Sequence, residues 1–268
     1  MAEHAIITGG SSGIGLATAK LLASRGVSVS LIARNVERLE AARRTVSAIA
    51  RNGGHVEIYP CDVRDRERLS IVIAEAIERF GPPTWAIASA GIVRPGTFLR
   101  QSIDAYEEQI QTNYLGSLYF AKAVCPHMAE QRAGRLVFIS SGAAFVGLFG
   151  YSSYGPSKFA VRSLAECLRV ELKSNGISVS LVCPGDTNTP QHTEELPIRP
   201  KVTSKLAEGS NLLSADTVAA KLVRSAERGK FLVTYGWQLQ LLGRTHSLVA
   251  PVVRCYQDWL VSRFGSET

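Results

Sequence analysis

A glycine-rich turn between two short apolar segments restricts the fold of this chain more than any other feature. Residues 4–8 predict a strand, residues 9–15 read GGSSGIG, and a helix is predicted from there to about Arg25. Glycines at positions 9, 13 and 15 let the backbone approach a pyrophosphate, which the amides and positive dipole end of the helix would bind. A tight turn alone could use these glycines, but their place between a first strand and a helix favours a dinucleotide site.

Short apolar strands and helical patterns alternate along the chain after this turn. Seven predicted strands end near residues 8, 33, 59, 91, 141, 183 and 235. Such alternation is typical of parallel sheets with helices on both faces, and one sheet of this kind commonly reaches 268 residues. We therefore predict an α/β fold, a single doubly wound Rossmann-type domain with a seven-stranded parallel sheet. This domain takes residues 1–235, and residues 236–268 form a C-terminal extension.

The charge and the composition limit the classes of partner. Hydrophobic residues make up 46% of the chain and charged residues 20%, which is typical of an ordinary globular domain. The formal net charge is +7, but lysine and arginine are spread along the chain without a basic block, so we expect no nucleic-acid partner. A phosphorylated cofactor or an anionic membrane surface would each suit a basic protein.

Cysteine and histidine are used sparsely. The five cysteines contain no C-x-x-C pair and mostly lie in apolar surroundings, as expected for reduced thiols in a cytoplasmic protein. The five histidines have no metal-ligand spacing, so we predict no metal site. A strand that starts at His4 leaves no signal peptide ahead of it, which also favours a cytoplasmic location.

A serine, a tyrosine and a lysine follow the predicted fifth strand at spacings that suit proton transfer. Tyr154 and Lys158 are four residues apart at the start of a helical pattern, so both project from one helix face. A nearby ammonium favours the phenolate and lowers the pKa of a tyrosine, which prepares it for acid–base chemistry. Ser141 ends the strand and could hydrogen-bond the oxygen whose proton Tyr154 handles. The same tyrosine–lysine spacing occurs by chance on exposed helices, but the serine and the glycine turn argue against that interpretation.

The pattern Ser141-x12-Tyr154-x3-Lys158, together with Thr8-Gly-x-x-x-Gly-x-Gly, resembles the short-chain dehydrogenase/reductase family. The resemblance covers roughly residues 4–235 and implies a nicotinamide-dependent oxidoreductase. It implies that Ser141 hydrogen-bonds a substrate carbonyl oxygen and that Tyr154 donates a proton to it. Lys158 would lower the pKa of Tyr154 and contact the nicotinamide ribose. Asn113 would kink its helix and hold a water of the proton relay.

The same resemblance implies a cofactor site built from several stretches of the chain. Its residues would be Thr8, Gly9, Ser11, Ser12, Gly13, Ile14, Gly15, Arg34, Asp62, Val63, Ala90, Gly91, Tyr154, Lys158, Pro184, Gly185, Thr187 and Thr189. Asp62 and Val63 would border the adenine ring, and the backbone of Thr187 would meet the nicotinamide carboxamide. The fourth strand has Ser89 where the family usually has an asparagine that braces the sheet.

The end of the second strand bears on the choice between NAD and NADP. Enzymes of this architecture that use NAD carry an acidic side chain there, which binds the ribose 2′-hydroxyl. This chain has Arg34 instead, and a guanidinium can bind a 2′-phosphate through paired hydrogen bonds. Arg34 could also simply begin an exposed helix, but the missing acid favours NADP(H) as the cofactor.

Two segments near the C-terminus could contact the substrate or a membrane. Residues 190–213 contain three prolines and mixed charges, and we expect an irregular substrate loop there. Residues 236–268 mix tryptophans, aliphatic residues and arginines, with too many charges for a membrane span. This extension could lie on a lipid surface at the cytoplasmic face of a membrane or wall a lipid cleft. It could equally pack as a helix on its own domain or on a sister subunit of a homodimer or homotetramer.

Within the family, several short segments resemble the 3-ketodihydrosphingosine reductase subgroup. They are the glycine turn, residues 158–162 with 164–166, residues 186–190, the pair Glu194–Glu195 and the apolar extension. This resemblance implies NADPH-dependent reduction of the ketone of a long-chain lipid, 3-ketodihydrosphingosine, to dihydrosphingosine. The alternatives are a reductase of another bulky ketone, such as a steroid, a retinoid or a 3-oxoacyl compound, and a nucleotide-binding scaffold without catalysis.

Overall fold

A parallel sheet forms the centre of the computed structural model, which describes residues 3–51, 53–208 and 211–265. The strands are His4–Thr8 (β1), Ser28–Ala33 (β2), Val56–Pro60 (β3), Trp85–Ala88 (β4), Gly134–Ile139 (β5), Ile177–Cys183 (β6), Thr187–Asn188 (β7), Leu213–Ser214 (β8) and Leu232–Thr234 (β9). Seven of them form one sheet in the order β3-β2-β1-β4-β5-β6-β9, and every pair in it is parallel. The predicted α/β fold with a seven-stranded parallel sheet is confirmed.

Helices connect the strands and cover both faces of the sheet. They are Gly13–Ala23 (α1), Val36–Ser47 (α2), Arg66–Phe80 (α3), Ile103–Gln109 (α4), Gly116–Glu130 (α5), Tyr154–Glu171 (α6), Pro190–Glu195 (α7), Lys201–Ala207 (α8), Ala215–Glu227 (α9) and Trp237–Phe264 (α10). Asn35 and Asp65 cap α2 and α3 by accepting hydrogen bonds from backbone amides three residues on.

Two apolar clusters hold these layers together. Successive strand residues point to opposite faces, so Ile6 packs in the cluster that includes Phe120 of α5, and Ile7 packs in the cluster that includes Leu22 of α1. Both faces of the sheet are therefore buried, which explains why its strands are almost continuously apolar.

The order of the strands fixes where a ligand can bind. The chain moves outward from β1 to β2 and β3, then returns to place β4 on the other side of β1. Ligands of open α/β sheets bind at such a reversal, outside the carboxyl ends of the strands. The glycine turn, Ser89, Ser140 and Pro184 follow the carboxyl ends of β1, β4, β5 and β6.

Residues 190–213 differ from the irregular loop expected there. They contain α7 and α8, and residues 209 and 210 lie outside the described part. Thr189 caps α7 by accepting a hydrogen bond from the amide of His192 at 3.2 Å, and Pro190 takes the first helical position, where no amide is needed. Proline thus starts a helix here instead of preventing one.

The C-terminal extension is one long helical segment, α10, with a kink at Thr245. Gln257 joins it to the loop after β5, accepting a hydrogen bond from the Phe149 amide at 3.0 Å and donating one to the Gly147 carbonyl at 2.9 Å. The described part of the extension therefore packs on its own chain; residues 266–268, like residues 1 and 2 of the domain, lie outside the description. Within the described ranges, no helix has the length and apolar character that crossing a bilayer requires.

Candidate active site

The glycine turn has the geometry of a phosphate cradle. Gly9 and Gly13 have φ angles of +68° and +53°, a region that side chains disfavour. A Cβ atom at Gly9 would lie 2.7 Å from the backbone nitrogen of Ala90, so only glycine fits against the end of β4. Ser12 is the N-cap of α1 and makes no side-chain cap hydrogen bond, so the start of α1 keeps amides without a side-chain partner, and Ser12, Gly13 and Ile14 line the cavity. These residues fit the pyrophosphate of a dinucleotide.

Ser141, Tyr154 and Lys158 line one cavity with the glycine turn. The cavity has a volume of about 920 Å³, near the upper end of the range for small-molecule pockets. Tyr154 is the first residue of α6, and Lys158 lies one turn further along it. Ser141 follows β5, and its Oγ accepts a hydrogen bond from the Ala143 amide at 3.2 Å and also hydrogen-bonds the Tyr154 side chain.

The protonation of Tyr154 is governed first by its burial. Burial raises the pKa of Tyr154 well above its ordinary value, whereas the hydrogen bond with Ser141 lowers it. The Nζ of Lys158 lies 5.6 Å from the centroid of the Tyr154 ring. The net direction differs from the sequence-based expectation that the lysine lowers this pKa, because the sequence does not reveal how completely the phenol is desolvated.

Lys158 is buried beneath the same cavity. Burial lowers the pKa of its ammonium to about 8, and its Nζ donates a hydrogen bond to the Ile139 carbonyl at 3.2 Å. A Cβ at Gly91 would lie 3.3 Å from this Nζ and 3.1 Å from Oδ1 of Asn113, so the missing side chain at Gly91 leaves room for both groups.

Asn113 lies in a π-helical segment, Ile110–Leu115, that separates α4 from α5. Its carboxamide accepts a hydrogen bond from the Ile92 amide at 2.8 Å and donates to the Ile92 carbonyl at 3.0 Å. It also donates to Oγ of Ser157 at 2.9 Å. Asn113 therefore clamps the loop after β4 against α6, and the interruption expected in this helix is present as a π-turn.

The predicted adenosine end of the site lies outside the cavity. Arg34 is half exposed, and its guanidinium lies 3.8 Å from Oδ2 of Asp62. Arg64 grips the same carboxylate at 2.9 and 2.6 Å. Burial opposes the charge of Asp62, but the hydrogen bonds from Arg64 and the nearby Arg34 hold its pKa below the usual value. Two guanidiniums around one carboxylate leave an excess positive charge beside the carboxyl ends of β2 and β3.

The structure separates the predicted site residues into those that line the cavity and those that support it. The lining residues are Gly9, Ser12, Gly13, Ile14, Ala90, Gly91, Ser141, Tyr154, Lys158, Pro184, Gly185, Thr187 and Thr189. Thr8 supports the site, since its Oγ1 accepts hydrogen bonds from the amides of Ser89 and Ala90 at 3.2 and 3.4 Å. Gly15 provides room for Gly9 against α1, and Val63 packs on Gly116. Ser11, Arg34, Asp62 and Asn113 do not line the cavity.

A buried polar cluster in the cavity wall was missed by the sequence reasoning. Tyr151 donates a hydrogen bond to Glu195, and Arg199 pairs with both Glu195 and Asp186. The pair Glu194–Glu195 was identified only as one of the segments that resemble the reductase subgroup, without a predicted contact. Tyr151 and Glu195 are separated by 44 residues in the sequence, so no local pattern indicated their contact.

Helix α10 forms the apolar wall of the cavity. Its contribution consists of Trp237, Leu239, Leu241, Leu242, Val249, Val253 and Tyr256, together with the polar Gln238. Leu239 packs against the residue that follows Ser141, because a Cβ at Gly142 would come within 2.7 Å of its Cδ2. A cavity with this wall and a phenol at its inner end suits an apolar molecule with one polar reacting group.

Comparison with known proteins agrees with this geometry. A family model described as "short chain dehydrogenase" matches residues 3–197. A 3-dehydrosphinganine reductase from Danio rerio is 37% identical over 251 residues, which cover 93% of this chain and 76% of the relative. A 3-ketodihydrosphingosine reductase from Mus musculus is 36% identical over 251 residues, with the same 93% and 76% coverage.

A solved structure extends the agreement to three dimensions. The short-chain dehydrogenase from Sphingobium yanoikuyae, in complex with NADPH, matches with a TM-score of 0.78 and 25% identity, over 97% of this chain and 95% of its own. The sheet order, the glycine turn and the serine, tyrosine and lysine in one cavity occur here together. This chain therefore belongs to the short-chain dehydrogenase/reductase family and is an oxidoreductase.

Proposed function

We propose that this protein reduces 3-ketodihydrosphingosine to dihydrosphingosine with NADPH. The observation that carries the proposal is the cavity, in which Ser141 and Tyr154 meet a long apolar wall from α10. A long-chain lipid with a ketone near its polar end fits such a cavity, with the ketone at Ser141 and Tyr154 and the chain along α10. The names of the relatives from Danio rerio and Mus musculus support the same substrate.

The chain's own residues supply binding and proton transfer. The reduced nicotinamide, when bound, would supply the hydride. The glycine turn, Thr187 and Thr189 would hold the cofactor along the cavity, and Arg34 would bind its 2′-phosphate. The Oγ of Ser141 donates a hydrogen bond to the ketone oxygen, and the Oη of Tyr154 transfers its proton to that oxygen as it becomes an alcohol.

Burial keeps Tyr154 protonated at neutral pH, which is the form that donates a proton. Because the same burial raises the pKa of the phenol and so weakens it as an acid, proton transfer requires that the resulting phenolate be stabilised. Lys158, with a pKa of about 8, still carries its proton in most molecules at neutral pH. The ammonium can then stabilise the phenolate that remains after transfer, and Asn113 holds the loop that faces it.

Steady-state oxidation of NADPH with a panel of ketones tests this function. We expect turnover with 3-ketodihydrosphingosine, and we expect Tyr154→Phe to lower kcat by about a thousandfold or more, since it removes the proton donor. Binding of NADPH, followed by fluorescence, should persist in this variant. Tyr119→Phe is the matched control, because Tyr119 lies on α5 and does not line the cavity.

Three outcomes would contradict the proposal. Unchanged kcat in Tyr154→Phe would remove this phenol from the mechanism. A higher kcat/KM for a steroid, a retinoid or a 3-oxoacyl ketone than for the long-chain amino ketone would assign the reductase to another substrate. Binding of NADPH without turnover of any ketone would favour the scaffold interpretation.

A further inference from the structure

A buried charged cluster occupies the wall of the cavity beside the proposed proton donor. Arg199 donates a hydrogen bond to Oε1 of Glu195 at 2.8 Å and two to the Asp186 carboxylate at 2.7 and 3.2 Å. The side chains of Arg199 and Glu195 are only 3% and 9% exposed. All three residues line the cavity. Charged groups are seldom buried without a strong reason, because leaving water costs free energy.

The charges of this cluster do not balance. Two carboxylates share the single guanidinium of Arg199, and among the described residues no second lysine or arginine pairs with either of them. Both described hydrogen bonds of Glu195, from Tyr151 and from Arg199, end on the same oxygen, Oε1. The Nδ1 of His192, another residue of the cavity lining, lies 3.5 Å from the Arg199 guanidinium and adds no charge when its ring is neutral. With both carboxylates ionised, the cluster then carries one net negative charge, and the other carboxylate oxygen of Glu195 can accept from a ligand.

The cluster lies within electrostatic reach of the reacting oxygen. The rings of Tyr151 and Tyr154 meet edge to face with centroids 5.4 Å apart, and Tyr151 is the residue that donates to Glu195. The charges of Glu195 and Asp186 also contribute to the raised pKa of Tyr154. A cation held by Glu195 would lie near the ketone group whose oxygen Tyr154 protonates.

We propose that Glu195, supported by Asp186, binds the ammonium group of a 2-amino-3-ketone and so selects amino lipids over neutral ketones. This inference rests on the proposed function. In such a substrate the ammonium is on the carbon next to the ketone, so a carbonyl held by Ser141 and Tyr154 brings the ammonium towards the cluster. The bound ammonium supplies the missing positive charge, as buried carboxylates require. Arg199 and Tyr151 act as positioning residues, since they fix the orientation of the Glu195 carboxylate.

The experiment compares two ketones that differ only in the amine. They are 3-ketodihydrosphingosine and the 1-hydroxy-3-ketone of the same chain length, each assayed with NADPH. The wild-type protein should prefer the amino ketone, and Glu195→Gln should lower the ratio of the two kcat/KM values by about tenfold or more, mostly through KM. Glu194→Gln is the matched control, because Glu194 is exposed and should leave the ratio unchanged.

A measurement on the wild-type protein alone keeps the inference testable if Glu195→Gln does not fold. The preference for the amino ketone should weaken as the pH rises and the substrate ammonium loses its proton, whereas the neutral ketone reports any change in the enzyme itself. The role of Glu195 would be overturned if the ratio of the two kcat/KM values stayed unchanged over the pH range in which the substrate ammonium loses its proton.

The remaining outcomes separate this inference from the proposed function. Equal losses on both ketones in Glu195→Gln would mean that Glu195 only holds Tyr151 and Arg199 in place. Equal kcat/KM values for both ketones in the wild-type protein would overturn ammonium selection while leaving long-chain ketone reduction intact. Failure of the wild-type protein to reduce either ketone would instead refute the proposed function.

Discussion

At the scale of single residues, burial decides the chemistry as much as residue type does. Tyr154 and Lys158 have pKa values moved in opposite directions by the same cause, because desolvation disfavours the charged form of each group. The spacing of the two residues was evident in the sequence, but their burial was not. Arg34, by contrast, is half exposed, so the role proposed for it in cofactor choice requires direct contact with a phosphate.

The role proposed for Arg34 predicts a selective loss of NADPH affinity. Arg34→Ala removes a guanidinium that would bind the 2′-phosphate, so we expect the Kd for NADPH to rise about tenfold or more. The Kd for NADH should change little, since NADH has no such phosphate. Fluorescence titration of both cofactors measures the two constants. Arg44→Ala, on the exposed face of α2, is the control, and equal losses for both cofactors in Arg34→Ala would contradict the role.

At the scale of elements, local sequence signals predict where a helix begins better than they predict which part of the fold that helix packs against. The capping residues Asn35 and Asp65 and the interruption around Asn113 act within a few residues, so the pattern of the chain reveals them. The positions of α7, α8 and α10 depend on distant partners. Gln257, for example, reaches the carbonyl of Gly147, 110 residues earlier.

The wall formed by α10 predicts that chain-length preference can be altered from this helix. Val253 lines the cavity, whereas its neighbour Val252 is 69% exposed. Val253→Trp should fill the apolar end of the cavity at a cost of roughly 1–3 kcal/mol to a long chain. Its kcat/KM should therefore fall about tenfold for a long-chain 3-ketone and much less for a short-chain one. Val252→Trp is the control, and an equal fall for both ketones would exclude a chain-binding wall.

At the scale of the whole molecule, the sheet buries a titratable group, His4 of β1, whose imidazole bonds the Gly81 carbonyl at 2.7 Å and Oγ of Ser30 at 2.8 Å. Burial lowers the pKa of His4 to about 4, although the bond to Gly81 works against this.

The predicted homodimer or homotetramer and the predicted membrane contact of residues 236–268 stay predictions.

His4 should make the protein less stable in acid. Its pKa is lower in the folded than in the unfolded state, so the unfolded chain binds more protons between the two values, and the protein loses stability as the pH is lowered through this range. Between pH about 7 and about 4.5, His4 should account for a loss of about 2–3 kcal/mol in the free energy of unfolding. Urea unfolding at both pH values should show a smaller loss in His4→Gln. The half-exposed His127→Gln is the control and should show the loss of the wild type. If His4→Gln showed that same loss, His4 would not be the cause of the acid sensitivity.

The amino-acid sequence by itself determined the fold class, the dinucleotide turn and the Ser141, Tyr154 and Lys158 group. These features are visible because strand alternation, helix spacing and glycine turns act over a few residues, and because each chemical role needs a particular side chain. Residues far apart that meet in the fold leave no such local pattern.

Only the tertiary structure decided that α10 walls the cavity and that Glu195 lies beside Tyr151 and Arg199. It also decided the direction in which the pKa of Tyr154 moves. The physical reason is the same in each case. Burial and contact between distant segments depend on how helices pack on the sheet, and that packing arises only when the whole chain has folded.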